Sequence, residues 1–260
     1  MRRAGGRGAR VALALALPAL VLVLWEAAGA AGFVRPAFFP RPSVVAGHAV
    51  TLAADGTLAG HAWVTLGRVG AAFLLAALPG VAVGMAMGIS GAARRGLDPV
   101  FAVVYPIPSI LFLPLLSFVV RSSEPALVLT SAVTSFFLVA YTTMTGVHQV
   151  DRSIVEAATH YGARGAALFA KVLLPAAAPS ILTGLRLGLG YTLIVVIATE
   201  MVSASSGLGS FLWLSWQVLK VEDMYVALAA IAALGALSNW ALAALRARVL
   251  PWARDAAEAA

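Results

Sequence analysis

Six apolar runs, each about long enough to cross a membrane, occupy most of this 260-residue chain. They extend over approximately Val11 to Ala31, Val64 to Ile89, Pro99 to Val120, Pro125 to Val147, Ser180 to Ser203 and Met224 to Leu245. Crossing about 30 Å of hydrocarbon takes roughly 20 helical residues. Because lipid offers the backbone no hydrogen-bond partner, each run is expected to be a helix rather than an open strand. The sequence therefore predicts an all-α, polytopic membrane protein with six transmembrane helices.

Charged residues are too few here for a soluble domain. They make up 11% of the chain, whereas 61% of its residues are hydrophobic, and an ordinary soluble domain carries about 25% charged residues. The sequence contains no cysteine, which excludes a disulfide framework and a thiolate metal site. Its net charge of +7 comes from cations scattered among the apolar runs. This distribution indicates membrane lipid, and not nucleic acid, as the surrounding partner.

The cations between the apolar runs also indicate an orientation. If the N-terminus is cytoplasmic, most of the 18 Lys and Arg residues lie in inner segments. The exceptions are Arg35, Arg41, Arg121 and Lys220 in outer segments, with Arg68 at the outer start of the second run. Positive residues concentrate on the cytoplasmic side of membrane proteins. Both termini and the segment before the fifth run are therefore predicted to be cytoplasmic.

The first apolar run has two interpretations. Its arginine-rich start, its apolar centre and the small residues Ala28-Gly29-Ala30 also resemble a secretory signal peptide. We expect the run to be retained as a helix, because it is longer than a typical signal-peptide core. Cleavage would leave five spans and would keep the segment before the fifth run in the cytoplasm.

The outer segments suggest short helices and membrane anchors. Three prolines, Pro36, Pro40 and Pro42, disfavour a helix directly after the first run. Ser43 is then placed to cap a short helix that ends before Gly56 and lies along the outer interface. A second outer segment, residues 205–223, carries Phe211, Trp213 and Trp216. These aromatic residues are either anchors at headgroup depth or contacts for a solute.

Small residues and prolines inside the apolar runs predict helix packing rather than chemistry. Glycines recur every four residues in two runs, at Gly80, Gly84 and Gly88 and at Gly184 and Gly188. Such spacing lets neighbouring helices approach closely. The third run contains Pro106, Pro108 and Pro114. Each proline removes a backbone donor, so this helix is expected to bend.

The sequence contains none of the common catalytic motifs considered for a chain of this kind. The two lysines, Lys171 and Lys220, do not follow glycine, which excludes a P-loop. The histidines His48, His61, His148 and His160 form no pair at helical i, i+4 spacing, which argues against a histidine metal site. No G-x-S-x-G nucleophile motif occurs. We therefore expect no catalytic residue, no metal site and no cofactor on this chain.

A charged, small-residue-rich segment at about 148–178 separates the fourth and fifth runs. Asp151 is placed to cap a helix that begins near Arg152, and Glu156 lies close to the positive end of that helix dipole. Gly162 permits the positive φ that ends a helix. A second short helix, Ala166 to Val172, is expected to stop before Pro175. The segment is thus predicted to be a helix, a tight turn and a helix that project from the membrane, although any loop between spans can be helical.

The residues of this segment resemble a known loop. Glu156-Ala157-Ala158, Gly162 four residues later and Leu173-Leu174-Pro175 are similar to the EAA loop of permease subunits from binding-protein-dependent ABC importers. Four further segments resemble the aliphatic-sulfonate, taurine and nitrate branch of these permeases. They read L-G-R-V at 66–69, L-D-P at 97–99, L-P-A-A-A-P-S-I-L-T-G-L-R at 174–186 and E-M-V-S-A-S-S-G-L-G at 200–209. The resemblance departs at 116–125, where members of the branch commonly carry a glycine-rich outer turn.

The resemblance implies a type I ABC importer permease fold and a division of the chain. Residues 1–62 are expected to comprise the cytoplasmic N-terminus, the first helix and an outer interfacial segment. Residues 63–246 would form the importer transmembrane domain, with the EAA loop at about 148–178. Residues 247–260 would be a cytoplasmic tail. The protein would lie in a bacterial inner membrane as a multi-pass chain.

The resemblance also implies partners and a mechanism. A second permease subunit, expected to be an identical copy, would complete the pathway for a small anionic solute such as a sulfonate, taurine or nitrate. A solute-binding protein would dock outside, and two cytoplasmic ATPase subunits would bind ATP and Mg. The expected coupling residues are Glu156, Ala157, Ala158, Tyr161, Gly162 and Arg164. The alternative is a secondary transporter or channel that works without an ATPase.

Two charges are expected at similar depth inside the membrane. Arg68 enters the second run from outside, and Glu200 lies near the outer end of the fifth. Pairing would lower the cost of each charge in lipid, or Arg68 would face an anionic solute along the pathway. The remaining alternative is that each side chain extends separately toward the interface.

Overall fold

The computed structural model describes residues 7–250 of the chain, with side chains from Ala16 onward. Helices occupy most of this part, and no strand occurs within it. The helices are α1 (Arg7–Ala30), α2 (Pro42–Ala54), α3 (Thr57–Ile89), α4 (Gly91–Val104), α5 (Phe112–Val120), α6 (Ser123–His148), α7 (Arg152–His160), α8 (Gly165–Leu168), α9 (Leu174–Ser203), α10 (Leu208–Gln217) and α11 (Val221–Val249). The predicted cytoplasmic ends at residues 1–6 and 251–260 lie outside the described residues.

The membrane spans largely follow the apolar runs. Helices α3, α6 and α11 and the continuous stretch Gly165–Ser203 are each long and apolar enough to cross a membrane. Helix α4 and the stretch Ser109–Val120 meet at an angle of 82°, and the pair is long and apolar enough for a fifth span only if the two are counted together. The first predicted span falls on α1, whose described side chains cover only Ala16–Ala30, shorter than a span. The all-α polytopic fold is confirmed, whereas the count of six spans and the domain division stay predictions.

The bend predicted for the third run is confirmed at two of its three prolines. Pro106 and Pro108 lie in the break between α4 and a 3-10 turn at Ser109–Leu111. Pro114 lies in α5, close to its start, where a missing N–H costs little.

The short helix α2 is confirmed, but its predicted cap is wrong. Arg41 precedes the helix, and Pro42 occupies its first turn, where a proline fits because that N–H has no helical partner. The N–H and Oγ of Ser43 instead donate to the carboxylate of Glu26 on α1, at 2.9 and 2.8 Å. A carboxylate from a neighbouring helix thus takes the capping position that local sequence assigned to Ser43.

Helix α6 lies at the centre of the bundle, between α3 and α9, and small residues set its contacts. A Cβ added at Gly84 would lie 2.3 Å from the carbonyl oxygen of Ala140, and one at Gly184 would lie 2.0 Å from Oγ1 of Thr142. Gly80, Gly88 and Gly188 are similarly close to α6 side chains. The predicted close approach of helices at these glycines is confirmed.

The second helix of the charged segment does not stop before Pro175, contrary to the prediction. Helix α8 passes through a π turn at Phe169–Leu173 directly into α9. The N–H of Leu174 bonds back to Phe169, five residues earlier. This wider turn changes the hydrogen-bond register just before Pro175, which then lies in the first turn of α9 and needs no donor. The charged segment is therefore joined without interruption to a membrane helix.

Candidate functional site

The charged segment begins with a capped helix. Oδ1 of Asp151 accepts a hydrogen bond from the backbone N–H of Ser153 at 2.9 Å, which confirms the predicted cap of α7. Hydrogen bonds from Ser153, first from its backbone N–H, lower the pKa of the Asp151 carboxyl below its ordinary value. The carboxylate is fully exposed, so this bond organises the start of α7 rather than a buried site.

Gly162 ends α7 in the way its position predicted. Its φ is +90°, and its N–H donates to Thr159 at 3.0 Å. The next residue, Ala163, donates to the carbonyl of Ala158 at 2.9 Å. These two bonds form the Schellman motif, which places a residue of positive φ directly after the helix. A Cβ at Gly162 would meet no atom within 4 Å, so the requirement for glycine lies in the backbone.

The structure brings the six expected coupling residues together on one projecting hairpin, α7 to α8. Glu156, Ala157, Gly162 and Arg164 are exposed, and Ala158 is half-buried. Tyr161 is 93% exposed, so the hairpin presents an aromatic side chain to its surroundings. The coupling role of these six residues stays a prediction.

Sequence reasoning missed one residue of this surface, Ile154. It is half-exposed and precedes Ala157 and Tyr161 at helical spacing of three and seven residues. These three side chains therefore share a face of α7. Their spacing at i, i+3 and i+7 is the feature of the sequence from which this face could have been predicted. We call Ile154, Ala157 and Tyr161 the hairpin stripe.

At the opposite end of the bundle, the structure brings Arg68 and Glu200 together. Nη1 of Arg68 lies 2.9 Å from Oε1 of Glu200, and the two side chains are 5% and 0% exposed. The two side chains therefore do not extend separately toward the membrane interface. Glu124 at the start of α6 is a second partner: Nε of Arg68 donates to its Oε2 at 3.0 Å, and Nη2 donates to Oε1. Sequence reasoning missed Glu124, although an acid in a first helical turn was a signal.

The remaining Arg68 donors are also engaged. Nη1 donates to the carbonyl of Ser206 at 2.6 Å, and Nη2 donates to its Oγ at 3.4 Å. Arg68 thus directs its guanidinium at two carboxylates and a loop. A solute would have to displace one of these partners to reach it, so the geometry favours a structural pair over a solute contact.

Glu200 holds the loop that leads to α10. Its Oε2 accepts from the N–H of Gly209 at 2.9 Å, and both of its oxygens accept from Oγ1 of Thr65 at 3.0 Å. Oγ1 of Thr65 in turn accepts from the N–H of Leu208 at 2.8 Å. A Cβ at Gly207 would lie 2.3 Å from Glu200, and its φ is +108°. We call Thr65, Arg68, Glu124, Glu200 and residues 206–209 the outer latch.

The latch is a closed network rather than a reactive site. Each buried charge has an opposite charge and further hydrogen bonds, which is the condition for burial of an ion pair. Within the described residues, no three His, Asp or Glu side chains are grouped as a metal site requires. The chemistry of both regions is therefore that of contact and positioning.

Comparison with known proteins then shows the family of the chain. Residues 80–254 match the family described as binding-protein-dependent transport system inner membrane component. The chain belongs to this family. The resemblance inferred from the EAA-like loop is thereby confirmed, and the permease is a multi-pass inner membrane transport component.

Several relatives of the permease are named for the transport of taurine, aliphatic sulfonates or nitrate. It is 33% identical to the taurine transport system permease protein TauC of Escherichia coli K12 over 248 residues, covering 94% of this chain and 90% of TauC. It is 29% identical to the putative aliphatic sulfonates transport permease protein SsuC of Bacillus subtilis 168, covering 92% and 86%. It is 30% identical to the nitrate import permease protein NrtB of Leptolyngbya laminosa, covering 76% and 72%.

The fold of the permease is also found in a solved transporter. A chain of the MetNI methionine ABC transporter, determined in inward-facing conformations, superposes with a TM-score of 0.64. The alignment covers 70% of this chain and 91% of the MetNI chain, at 19% identity. At that identity the likeness establishes the fold alone, which is the expected type I ABC importer permease fold.

Proposed function

We propose that the permease forms the translocation pathway of an ATP-driven importer for a small solute that carries an oxyanion, such as a sulfonate, taurine or nitrate. The names of its relatives support this class of solute. The observation that carries the coupling proposal is the α7 to α8 hairpin with its exposed stripe. A projecting surface with an almost fully exposed tyrosine is suited to a protein partner.

The continuous connection of the hairpin to α9 suits it to transmit movement. Residues Gly165–Ser203 form one continuous apolar helix of 39 residues, which corresponds to about 58 Å at the usual helical rise. Glu200 lies near the far end of this helix and is part of the outer latch. A displacement of the hairpin would therefore be carried along α9 to α10 as a rigid-body motion. No catalytic residue on this chain is needed for such a mechanism.

The proposed partners are those that membership of the family implies. Two ATPase subunits would hold the hairpins of two permease copies and would bind ATP and Mg. A solute-binding protein would deliver solute at the end that bears the outer latch. The distribution of Lys and Arg supports a cytoplasmic position for the hairpin and both chain ends.

Substitution of Gly162 tests the coupling proposal. Gly162→Ala puts a Cβ on a left-handed residue and is expected to cost about 1 to 2 kcal/mol of local backbone strain. Distortion of the α7 end should reduce co-purification of the ATPase and ATP-dependent uptake in vesicles. Tyr161→Ala should do the same by removing contact surface, with no strain on the backbone.

Gly56→Ala is the matched control. Gly56 also has a positive φ, +81°, and open space around its Cβ position, but it lies at the opposite end of the bundle between α2 and α3. It should leave ATPase binding intact. Unchanged ATPase binding and uptake in both hairpin variants would contradict the proposal. Solute uptake by the permease without any ATPase would instead support a secondary transporter or channel.

A further inference from the structure

A histidine next to the outer latch contacts the loop of the latch. Nδ1 of His61 lies 3.1 Å from the backbone nitrogen of Gly207, and the ring of His61 stacks on Phe211 of α10, with 5.0 Å between the ring centroids. His61 precedes Thr65 and Arg68 on α3 by four and seven residues, so the three side chains share a face of that helix. Thr65 and Arg68 are buried, whereas His61 is half-buried. Of the three, His61 is therefore the side chain that water can reach.

The start of α10 depends on neighbouring helices for its hydrogen bonds. Its N-cap residue, Gly207, has no side chain with which to cap it, and the first N–H groups of a helix have no partner within the helix. The N–H groups of Gly207, Leu208 and Gly209 donate in turn to His61, Thr65 and Glu200, and the carbonyl of Ser206 accepts from Arg68. Each of the four loop residues is thus held by a different side chain of α3 or α9.

The contact with Gly207 fixes the protonation state of His61. A backbone N–H can only donate, so Nδ1 must accept the hydrogen bond and cannot carry a proton. An imidazolium has an N–H on both ring nitrogens, and its Nδ1–H would point at the N–H of Gly207. It would also place a positive charge at the N-terminus of α10, where the helix dipole is positive. The contact therefore exists only with the neutral imidazole.

No described carboxylate is close enough to hold a protonated His61 in place. Among the side chains that the structure describes, none of their carboxylate oxygens lies within 4 Å of its ring nitrogens. The acids on the surrounding helices have other partners: Glu124 and Glu200 bind Arg68, Asp223 binds His48, and Asp55 accepts from the N–H of Thr57. Lys220 and Glu222, between α10 and α11 and at the start of α11, are exposed. Stacking on Phe211 favours a cation, but it does not replace the hydrogen bond to Gly207.

His48 on α2, at the same end of the bundle, shows the opposite arrangement. Its Nε2 lies 2.5 Å from Oδ1 of Asp223 on α11. A carboxylate accepts a hydrogen bond from a protonated histidine and is attracted to its charge. Protonation therefore keeps the contact of His48, whereas it breaks the contact between His61 and Gly207.

We infer that neutral His61 positions the start of α10 on the outer latch, and that protonation of His61 releases Gly207. Because histidine ordinarily titrates between about pH 5 and 8, the contact is present at the upper end of this range and is lost as pH falls. Thr65, Arg68 and Glu200 keep their bonds to the loop, so acid loosens the start of α10 without opening the buried ion pair.

The side of the membrane on which this happens rests on the proposed function. With the hairpin in the cytoplasm, the latch lies at the outer end of the bundle. His61 then responds to the pH outside the cytoplasm.

Hydrogen exchange at the amide of Gly207 tests the inference. The full chain is purified in detergent, and exchange is followed by mass spectrometry on peptides that cover residues 204–212. Protection is expressed relative to the intrinsic exchange rate at each pH. In the parent it should be about fivefold or more lower at pH 5 than at pH 8, as expected for the loss of one hydrogen bond.

Two variants of His61 separate titration from packing. His61→Asn places an oxygen acceptor near the position of Nδ1 but does not titrate, so protection should be the same at both pH values. His61→Phe keeps a ring against Phe211 without an acceptor, so protection should be low at both. His48→Asn is the matched control, and its protection should respond to pH as in the parent.

Several results would overturn the inference. Equal protection of the parent at pH 8 and pH 5 would do so, and so would full protection of His61→Phe at pH 8. A response in His61→Asn equal to that of the parent, or loss of the response in His48→Asn, would assign the titration to another group. Because the measurement uses no solute and no ATPase, its failure would leave the proposed function standing. Absence of ATP-dependent uptake would contradict the proposed function and leave the contact of His61 unaffected.

Discussion

At the scale of single residues, several positions have requirements that their neighbours in space impose. Arg68 has partners at Glu124, Glu200 and Ser206, which are 56 to 138 residues away along the chain. Gly162 differs, because its requirement is the positive φ of a local turn. The local turn could be predicted from sequence. The contact between Arg68 and Glu124 could not, because it depends on how α3 packs against α6.

Gly207 should be among the least replaceable residues. Gly207→Ala would place a Cβ 2.3 Å from the Glu200 carboxylate and would strain a residue with φ of +108°. The backbone strain and the disturbed buried ion pair should together lower stability by roughly 2 kcal/mol or more. Thermal unfolding in detergent would measure the loss. Gly32→Ala, also at positive φ but in open space, is the control, and an equal loss there would contradict a role for the latch.

Asp151 should make the start of α7 sensitive to acid. Its pKa is lowered in the folded protein by hydrogen bonds from Ser153, so its stabilising effect is present above the ordinary carboxyl value, about 4. The effect is lost as pH falls through the lowered folded value. Hydrogen exchange at the Ser153 amide should therefore lose protection on acidification. Asp151→Asn keeps a hydrogen-bond acceptor without the charge, so protection of the Ser153 amide in that variant should not change with acid. The same loss of protection in the parent and in Asp151→Asn would exclude titration of Asp151 as its cause.

At the scale of helices, close packing of α3 against α6 depends on glycine. A Cβ at Gly84 would lie 2.3 Å from a backbone carbonyl oxygen, which cannot move as a side chain can. Gly84→Ala should therefore separate the helices and lower stability by about 1 to 3 kcal/mol. Gly70→Ala on the same helix meets no atom within 4 Å and should be neutral or stabilising by up to about 1 kcal/mol. Comparison of the two unfolding temperatures checks this, and equal effects would be inconsistent with tight packing at Gly84.

At the scale of the whole molecule, the continuous helix from the hairpin to the outer latch is the proposed lever. Ala170→Gly with Lys171→Gly would place two flexible residues in the π turn, at about 1 kcal/mol of helix propensity each. ATPase binding should persist while ATP-coupled uptake falls, because the hairpin would move without α9. Normal uptake with intact ATPase binding would exclude a rigid connection at this turn.

Sequence alone was sufficient for the fold class, the family, four of the helical spans and the hairpin turn. These features depend on local chemistry: run length against membrane thickness, capping by Asp151 and the positive φ at Gly162. Local rules failed at Ser43, whose predicted capping place is taken by Glu26 of another helix, and at Pro175, where a π turn keeps the helix continuous.

Tertiary structure decided what the polar groups inside the bundle contact. The pairing of Arg68 with Glu200 was one of several sequence alternatives, and its geometry and the additional partner Glu124 required the packing of α3, α6 and α9. Run length and turn chemistry act between neighbours along the chain, whereas the cost of a buried charge or carbonyl depends on which distant group comes to meet it.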